Sequence, residues 1–192
     1  MSSSALKHYL SPDEYLVGES VALLRHEYVA GQIYAMAGAS ERHNRITINL
    51  GFQLRARARG GSCGVFMSDM KLRIQQGKCF YYPDVMLVCD SLDNHAYFKE
   101  QPCLIAEVLS TSTEATDRRE KWLAYQQIAS LHYYLVVATD RRSVQYYQRN
   151  AKQQWELHSL ETHQVLQVRC EFNGVAYQAS LCMDDIYEDI HW

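Results

Sequence analysis

Phe80-Tyr81-Tyr82-Pro83-Asp84-Val85-Met86-Leu87-Val88 and Leu104-Ile105-Ala106-Glu107-Val108-Leu109 are the two stretches that decide the fold. Both are apolar runs of strand length and read as strands of a well-covered sheet. Each also carries one acid. A carboxylate in such a setting costs several kcal/mol, on the order of the penalty for a buried ion, unless a cation, proton or donor satisfies it. Side chains alternate along a strand, so Asp84 is expected on a face with Tyr82 and Met86, and Glu107 with Ile105 and Leu109. If the two strands are neighbours, the carboxylates converge.

The flanking sequence supplies the rest of a layered fold. Ser11-Pro12-Asp13-Glu14 has the form of a helix start, with Ser as N-cap, Pro at N1 and Glu at N3. Residues 21–36 read as a hairpin turning near Ala30-Gly31, with Glu27 in its first arm. Residues 44–58 are helical, with Ile46, Leu50 and Leu54 along an apolar stripe, and Gly60-Gly61 ends them. Residues 69–74 alternate as a half-exposed strand. Pro83 and Pro102 stand at or near strand starts, where the missing donor does little harm. After Glu107 come the polar loop Ser110-Thr111-Ser112-Thr113 and a helix at 117–129, with Asp117 and Glu120 as a capping box. Lys121 and Tyr125 share one face of it. Residues 131–137 form the next strand, so strand, helix and strand make a crossover and the two strands should be parallel. Residues 141–149 pair back across Thr139-Asp140. The tail, 155–179, reads as short strands and 183–190 as a terminal helix. The expected architecture is α/β: one domain over 1–192, with a mixed sheet core whose central strands carry Asp84 and Glu107, flanked by helices at about 42–58 and 117–129.

With 192 residues, 47% apolar and 21% charged, the chain is an ordinary globular one. No run reaches membrane-span length, and Met1-Ser2-Ser3-Ser4 does not open a signal peptide. Six cysteines show no CxxC pairing, and the expectation is reduced, mostly buried cysteines in a cytoplasmic protein. Neither HExxH nor a His/Cys cluster is present. The net charge of −3 argues against a general nucleic-acid coat protein but leaves room for a local patch. The best one spans 42–59, with Arg42, Arg45, Arg55, Arg57 and Arg59 and no acid after Glu41. A solvated helix face is the competing reading.

Two acids and a lysine at one sheet surface suit divalent-metal phosphodiester hydrolysis. A metal lowers the pKa of bound water and polarises the phosphoryl oxygen. Mg²⁺ takes oxygen ligands and keeps several waters, a need met by two carboxylates plus a backbone carbonyl. A nearby ammonium, compact and with rotatable donors, can hold the attacking water and offset developing charge.

Pro83-Asp84 followed by Glu107-Val108-Leu109, 23 residues apart from acid to acid, resembles the PD-(D/E)xK motif of restriction-endonuclease-like nucleases. The longer pattern is similar to the Uma family of restriction-like endonucleases. It comprises Tyr82-Pro83-Asp84-Val85, Ile105 to Glu114, Asp117 to Lys121, Tyr125 and Tyr133-Tyr134-Leu135-Val136, with Glu27 to Tyr34, His43 and the ending at 181–187. The resemblance implies a restriction-endonuclease-like fold and a Mg²⁺-dependent endonuclease (Mn²⁺ as substitute) acting on nucleic acid, with DNA favoured over RNA. By the same resemblance Asp84 and Glu107 are metal ligands, the Val108 carbonyl is a third, Lys121 is the catalytic cation and Glu27 an extra acid, with Asp69 a weaker candidate. At the motif's third position, where the parent pattern has lysine, stands Leu109; the family's lysine is carried on the following helix, at Lys121.

Each residue has a plainer reading. Glu107 would be a core acid paired with Lys121, Asp84 a strand-end cap, Lys121 a partner of Asp117, Glu27 a solvated hairpin acid. His43 is a general base, a substrate contact or a helix-start residue that caps or packs. Tyr125 packs and anchors through its hydroxyl. The rival for the whole chain is a non-catalytic nucleic-acid or protein-binding module retaining the fold; a third reading is a small-molecule hydrolase with a closed pocket. Cutting both strands of a duplex would favour a homodimer.

Overall fold

The structure, a computed structural model, describes residues 9–109 and 114–192; the expectations for 110–113 and for the Asp117 side chain lie outside the described residues. The first half runs α1 (Pro12–Val21), β1 (His26–Val29), β2 (Gln32–Ala35), α2 (Glu41–Ala58), β3 (Gly64–Met67), β4 (Lys71–Ile74), β5 (Cys79–Tyr81) and β6 (Val85–Val88). The second half runs β7 (Phe98–Lys99), β8 (Pro102–Leu109), α3 (Glu114–Tyr125), β9 (Tyr133–Ala138), β10 (Val144–Arg149), β11 (Trp155–Ser159), β12 (Val165–Phe172), β13 (Val175–Cys182) and α4 (Met183–Ile186).

Local chemistry accounts for the boundaries. Ser11 caps α1 and Glu14 reaches back to it, completing the capping box. Ser40 caps α2 by accepting from the His43 amide, and Ile46, Leu50 and Leu54 are fully buried, as their spacing predicts. Ala30 (φ 47°) and Gly31 (φ 93°) make the tight β1–β2 turn with positive φ at both central positions. α3 begins at Glu114, so position 117 falls inside the helix rather than at its start. The terminal helix is one turn, and the tail before it forms strands longer than expected, eight residues each in β12 and β13.

The sheets are mixed. Six strands take the order β11-β10-β9-β8-β6-β3, five take β2-β1-β5-β4-β7, and β12–β13 is a separate hairpin. β8 and β9 are parallel, the geometry of a crossover through α3. One face of the six-stranded sheet, with Val85, Leu104 and Ala106, packs on α2 and the β12–β13 hairpin. Its other face, with Met86, Ile105 and Tyr134, meets Tyr125 of α3 and Leu72, Ile74 and Tyr81 of the five-stranded sheet. α1 covers the far side of that second sheet over Tyr28 and Phe80.

The run 80–88 is not one strand. β5 belongs to the five-stranded sheet and β6 to the six-stranded one, and the chain changes sheets at Tyr82-Pro83-Asp84. Pro83 has no N–H to continue a ladder, so the pairing breaks there. Tyr82 consequently turns away from Asp84's neighbour Met86: its hydroxyl reaches Glu19 of α1. Lys71 is likewise more buried than a half-exposed strand predicts, its ammonium 5.4 Å from the Tyr82 ring centroid, and burial lowers its pKa.

The cysteines also depart from expectation. Cys63 and Cys89 are disulfide-bonded, as are Cys103 and Cys170; Cys79 and Cys182 are free. Register explains the first bridge. Gly64 pairs with Val88, so one further step sets Cys63 across from Cys89, with Cα atoms 4.1 Å apart. The second links β8 to β12 across 67 residues, a proximity no local spacing announces. Among the described residues no helix is long and apolar enough to cross a membrane.

Candidate active site

Strand register brings the two acids together. Val85 pairs with Ala106 in the antiparallel β6–β8 ladder, so continuing it one step sets Asp84 opposite Glu107. The Val108 amide donates to Asp84 Oδ2 at 2.7 Å. From the α2 side, His43 Nε2 lies 3.3 Å from Asp84 Oδ1 and the ring also bonds the Val108 backbone. Burial works against the imidazolium, but the bonds to Asp84 and Val108 and the field of Glu107 outweigh it, and the His43 pKa is raised.

Glu107 is the more desolvated acid, only 4% exposed. The Tyr125 hydroxyl donates to its Oε1 at 2.6 Å, and Lys121 Nζ lies 3.5 Å from the same atom. Burial raises the Glu107 pKa; Lys121 opposes the rise, Asp84 adds to it, the Tyr125 bond opposes and Glu27 adds. Lys121 is closer to Glu27, at 2.8 Å, and 5.6 Å from the Tyr81 ring centroid. Glu27 also accepts from the Tyr82 amide at 3.2 Å. Glu27, Asp84, Glu107, Lys121 and His43 thus form one cluster, built from both sheets, α2 and α3. Asp69 is not part of it: its side chain is 81% exposed and pairs with Arg25.

Donor chemistry decides what the cluster can hold. Among the described residues no three His, Cys, Asp or Glu side chains are spaced to grip one ion. Two carboxylates and a carbonyl remain, an all-oxygen set of the kind Mg²⁺ and Mn²⁺ accept with water completing the shell. Val108 is the candidate for that carbonyl: in the continued register it faces Pro83, which has no N–H to offer it, and the His43 ring is its bonding partner. Facing acids with raised proton affinity at Glu107 are what a divalent charge would relieve, so the residues fit such an ion.

A groove of about 650 Å³, lined in part by Ser40, Glu41, Arg42, Arg45, Thr139 and Asp140, opens at the same end of the sheet. Thr139 is tied to Leu109, two residues beyond Glu107, through its amide and hydroxyl. Arg42 is committed to the structure, donating to the Thr139 and His191 carbonyls and lying over Trp192. Arg55, Arg57 and Arg59 are exposed at the opposite end of α2. Counting along the helix from His43, which touches Asp84, puts Arg55 roughly 18 Å further along the axis.

A family model described as "Putative restriction endonuclease", Uma2, matches residues 12–180. The chain belongs to the Uma2 family. Two proteins of Synechocystis sp. (strain ATCC 27184 / PCC 6803 / Kazusa) are similar to it. "Uncharacterized protein slr1290" is 39% identical over 155 residues, 80% of this chain and 82% of that protein. "Uncharacterized protein sll1609" is 37% identical over 154 residues, 79% and 87%. A crystal structure of "a putative nuclease belonging to DUF820" from Anabaena variabilis ATCC 29413 superposes with a TM-score of 0.69 at 14% identity, covering 93% of this chain and 97% of that one. The Uma2 chain therefore has a restriction-endonuclease-like α/β fold of mixed sheets flanked by helices.

Glu19 and His26 are site neighbours that sequence reasoning missed. Glu19 is an acid on the buried face of α1, beside Tyr15 at i−4, and that position is the only local signal for it.

Proposed function

We propose that this Uma2 protein is a divalent-metal-dependent endonuclease that hydrolyses nucleic-acid phosphodiester bonds, DNA being the favoured substrate. The observation that carries the reading is the facing pair of half-buried Asp84, one step beyond the β6–β8 ladder, and buried Glu107, with Lys121 beside Glu107. Their carboxylates and the Val108 carbonyl would hold Mg²⁺ or Mn²⁺. When bound, such an ion lowers the pKa of a water and polarises a phosphoryl oxygen.

The chain's own residues do the remaining work. The Val108 amide and His43 hold the two oxygens of Asp84, fixing the carboxylate plane. Glu27 holds the Lys121 ammonium beside Glu107, where it offsets negative charge gathering on the phosphoryl oxygens as water adds to phosphorus and the ester oxygen leaves. Tyr125 donates to Glu107 and keeps it from rotating. A binding module that retains the fold is the rival reading, favoured by Leu109 at the motif's third position.

Mn²⁺ calorimetry combined with Mg²⁺-dependent plasmid nicking tests the proposal. The native protein should bind one Mn²⁺ and nick; Glu107→Ala and Asp84→Ala should each lose both. Unchanged metal affinity in the two variants overturns the site. Nucleic-acid binding without turnover at any metal concentration favours the module.

A further inference from the structure

Glu19 lies on the far side of the five-stranded sheet from Lys121, and only 3% of it is exposed. Its Oε1 accepts from the His26 amide at 2.9 Å and from the Tyr82 hydroxyl at 2.9 Å. Its Oε2 lies 3.2 Å from His26 Nδ1. On the same helix face Tyr15 donates to the His26 carbonyl at 2.6 Å, so both backbone groups of His26 are held from α1. His26 immediately precedes Glu27. Tyr82 gives its amide to Glu27 and stands two residues before Asp84. One carboxylate therefore ties together the two backbone segments that carry Glu27 and Asp84, at the place where the chain changes sheets.

A leucine would fill this face of α1 without a desolvation cost, whereas a buried carboxylate must recover its penalty through its bonds and the field of buried Lys71. The bonds it makes all lead to the acid-bearing segments. We propose that Glu19 is a positioning residue for the metal site: it sets the approach of Glu27 and Asp84, and through Glu27 the place of Lys121. Tyr82 is the link on the β5 side. The inference rests on the nuclease reading of the site, because positioning has meaning only if Asp84 holds an ion.

Three single variants and one double variant test it, with Mn²⁺ calorimetry and thermal melting measured beside nicking. Tyr82→Phe removes one hydroxyl and is expected to fold. Glu19→Leu removes every bond from the carboxylate. Glu19→Gln keeps an acceptor for Tyr82 and His26. Loss of an outer partner of a metal ligand typically costs 10–100-fold in affinity, and about tenfold is expected here for Tyr82→Phe and Glu19→Leu. Glu19→Gln should recover most of it. Glu19→Leu combined with Tyr82→Phe should be no worse than Glu19→Leu, since both break the same link. Lower melting temperatures with Mn²⁺ affinity unchanged in Tyr82→Phe would overturn the role and leave Glu19 as a fold-stabilising acid. Native protein that binds no Mn²⁺ overturns the site itself and this inference with it; native binding with unaltered variants overturns only the inference.

Discussion

Lys121 sits nearer to Glu27, at 2.8 Å, than to Glu107, at 3.5 Å. The acid from the hairpin thus fixes the ammonium beside the acid from the central strand. Lys121→Ala should keep the fold and metal affinity while losing ~10²–10³ in turnover, the usual cost of one preorganised charge donor. Lys121→Arg should rescue only part, because a planar fork replaces a point charge. Glu27→Gln, which leaves the ammonium loosely held, should show a smaller loss in the same nicking assay. Normal nicking by Lys121→Ala would assign the work to another cation.

Nucleic acid should meet the arginines of α2. Arg55, Arg57 and Arg59 are exposed on a chain of net charge −3, so binding to phosphates needs a local patch. Removing one arginine–phosphate pair flattens the log–log salt dependence of binding by about one unit. Replacing Arg55 and Arg59 with Ala should weaken binding to all sequences alike and reduce the slope by about two units. An unaltered slope would make this a solvated face and move the search to Arg119, Arg141 and Arg142.

Thiol titration of denatured, unreduced protein should find two groups, Cys79 and Cys182. Six would mean that neither bridge forms. Reduction should lower the melting temperature, since closing loops of 26 and 67 residues contributes roughly 3–4 kcal/mol each in the chain-entropy account. Disulfides are sparse in reducing compartments, so the same count on rapidly alkylated cells tests the cytoplasmic expectation.

Alkali should unfold the protein. Burial pushes Tyr177 and Tyr187 up to about 12, with Arg57 opposing at Tyr177 and the Ser143 and Ala138 backbone opposing at Tyr187. An unfolded tyrosine titrates near 10. The sign follows: stability from these groups is complete below about pH 10 and is lost as pH rises from 10 through 12, by roughly 2–3 kcal/mol per tyrosine. Denaturant melts at pH 8, 10 and 11.5 measure it. A midpoint unchanged at pH 11.5 would show that these hydroxyls ionise freely in the folded state.

Elements whose causes are local could be read in advance. The Ser11 box, the Ala30-Gly31 turn, the Ile46-Leu50-Leu54 stripe and the parallel β8–β9 pair all follow from periodicity and capping chemistry. Asp84 and Glu107 stood out as acids in apolar runs. What escaped depends on long-range register. Cys103 meets Cys170 only once β12 lies against β8, and Glu19 meets Tyr82 across 63 residues. The split at Pro83 was hidden because Phe80 to Val88 keeps one apolar character while changing sheets.

That crossing has a consequence for assembly. Glu27 arrives on one sheet, Glu107 on the other, and Tyr82-Pro83-Asp84 is the strap between them. A refolding chain with both sheets formed but not yet docked would have nearly native strand content and no cluster of acids. Metal binding should then lag behind far-ultraviolet circular dichroism during refolding. Truncations at Leu72, Ile74 or Tyr81, which loosen one sheet from the other without touching an acid, should delay it further.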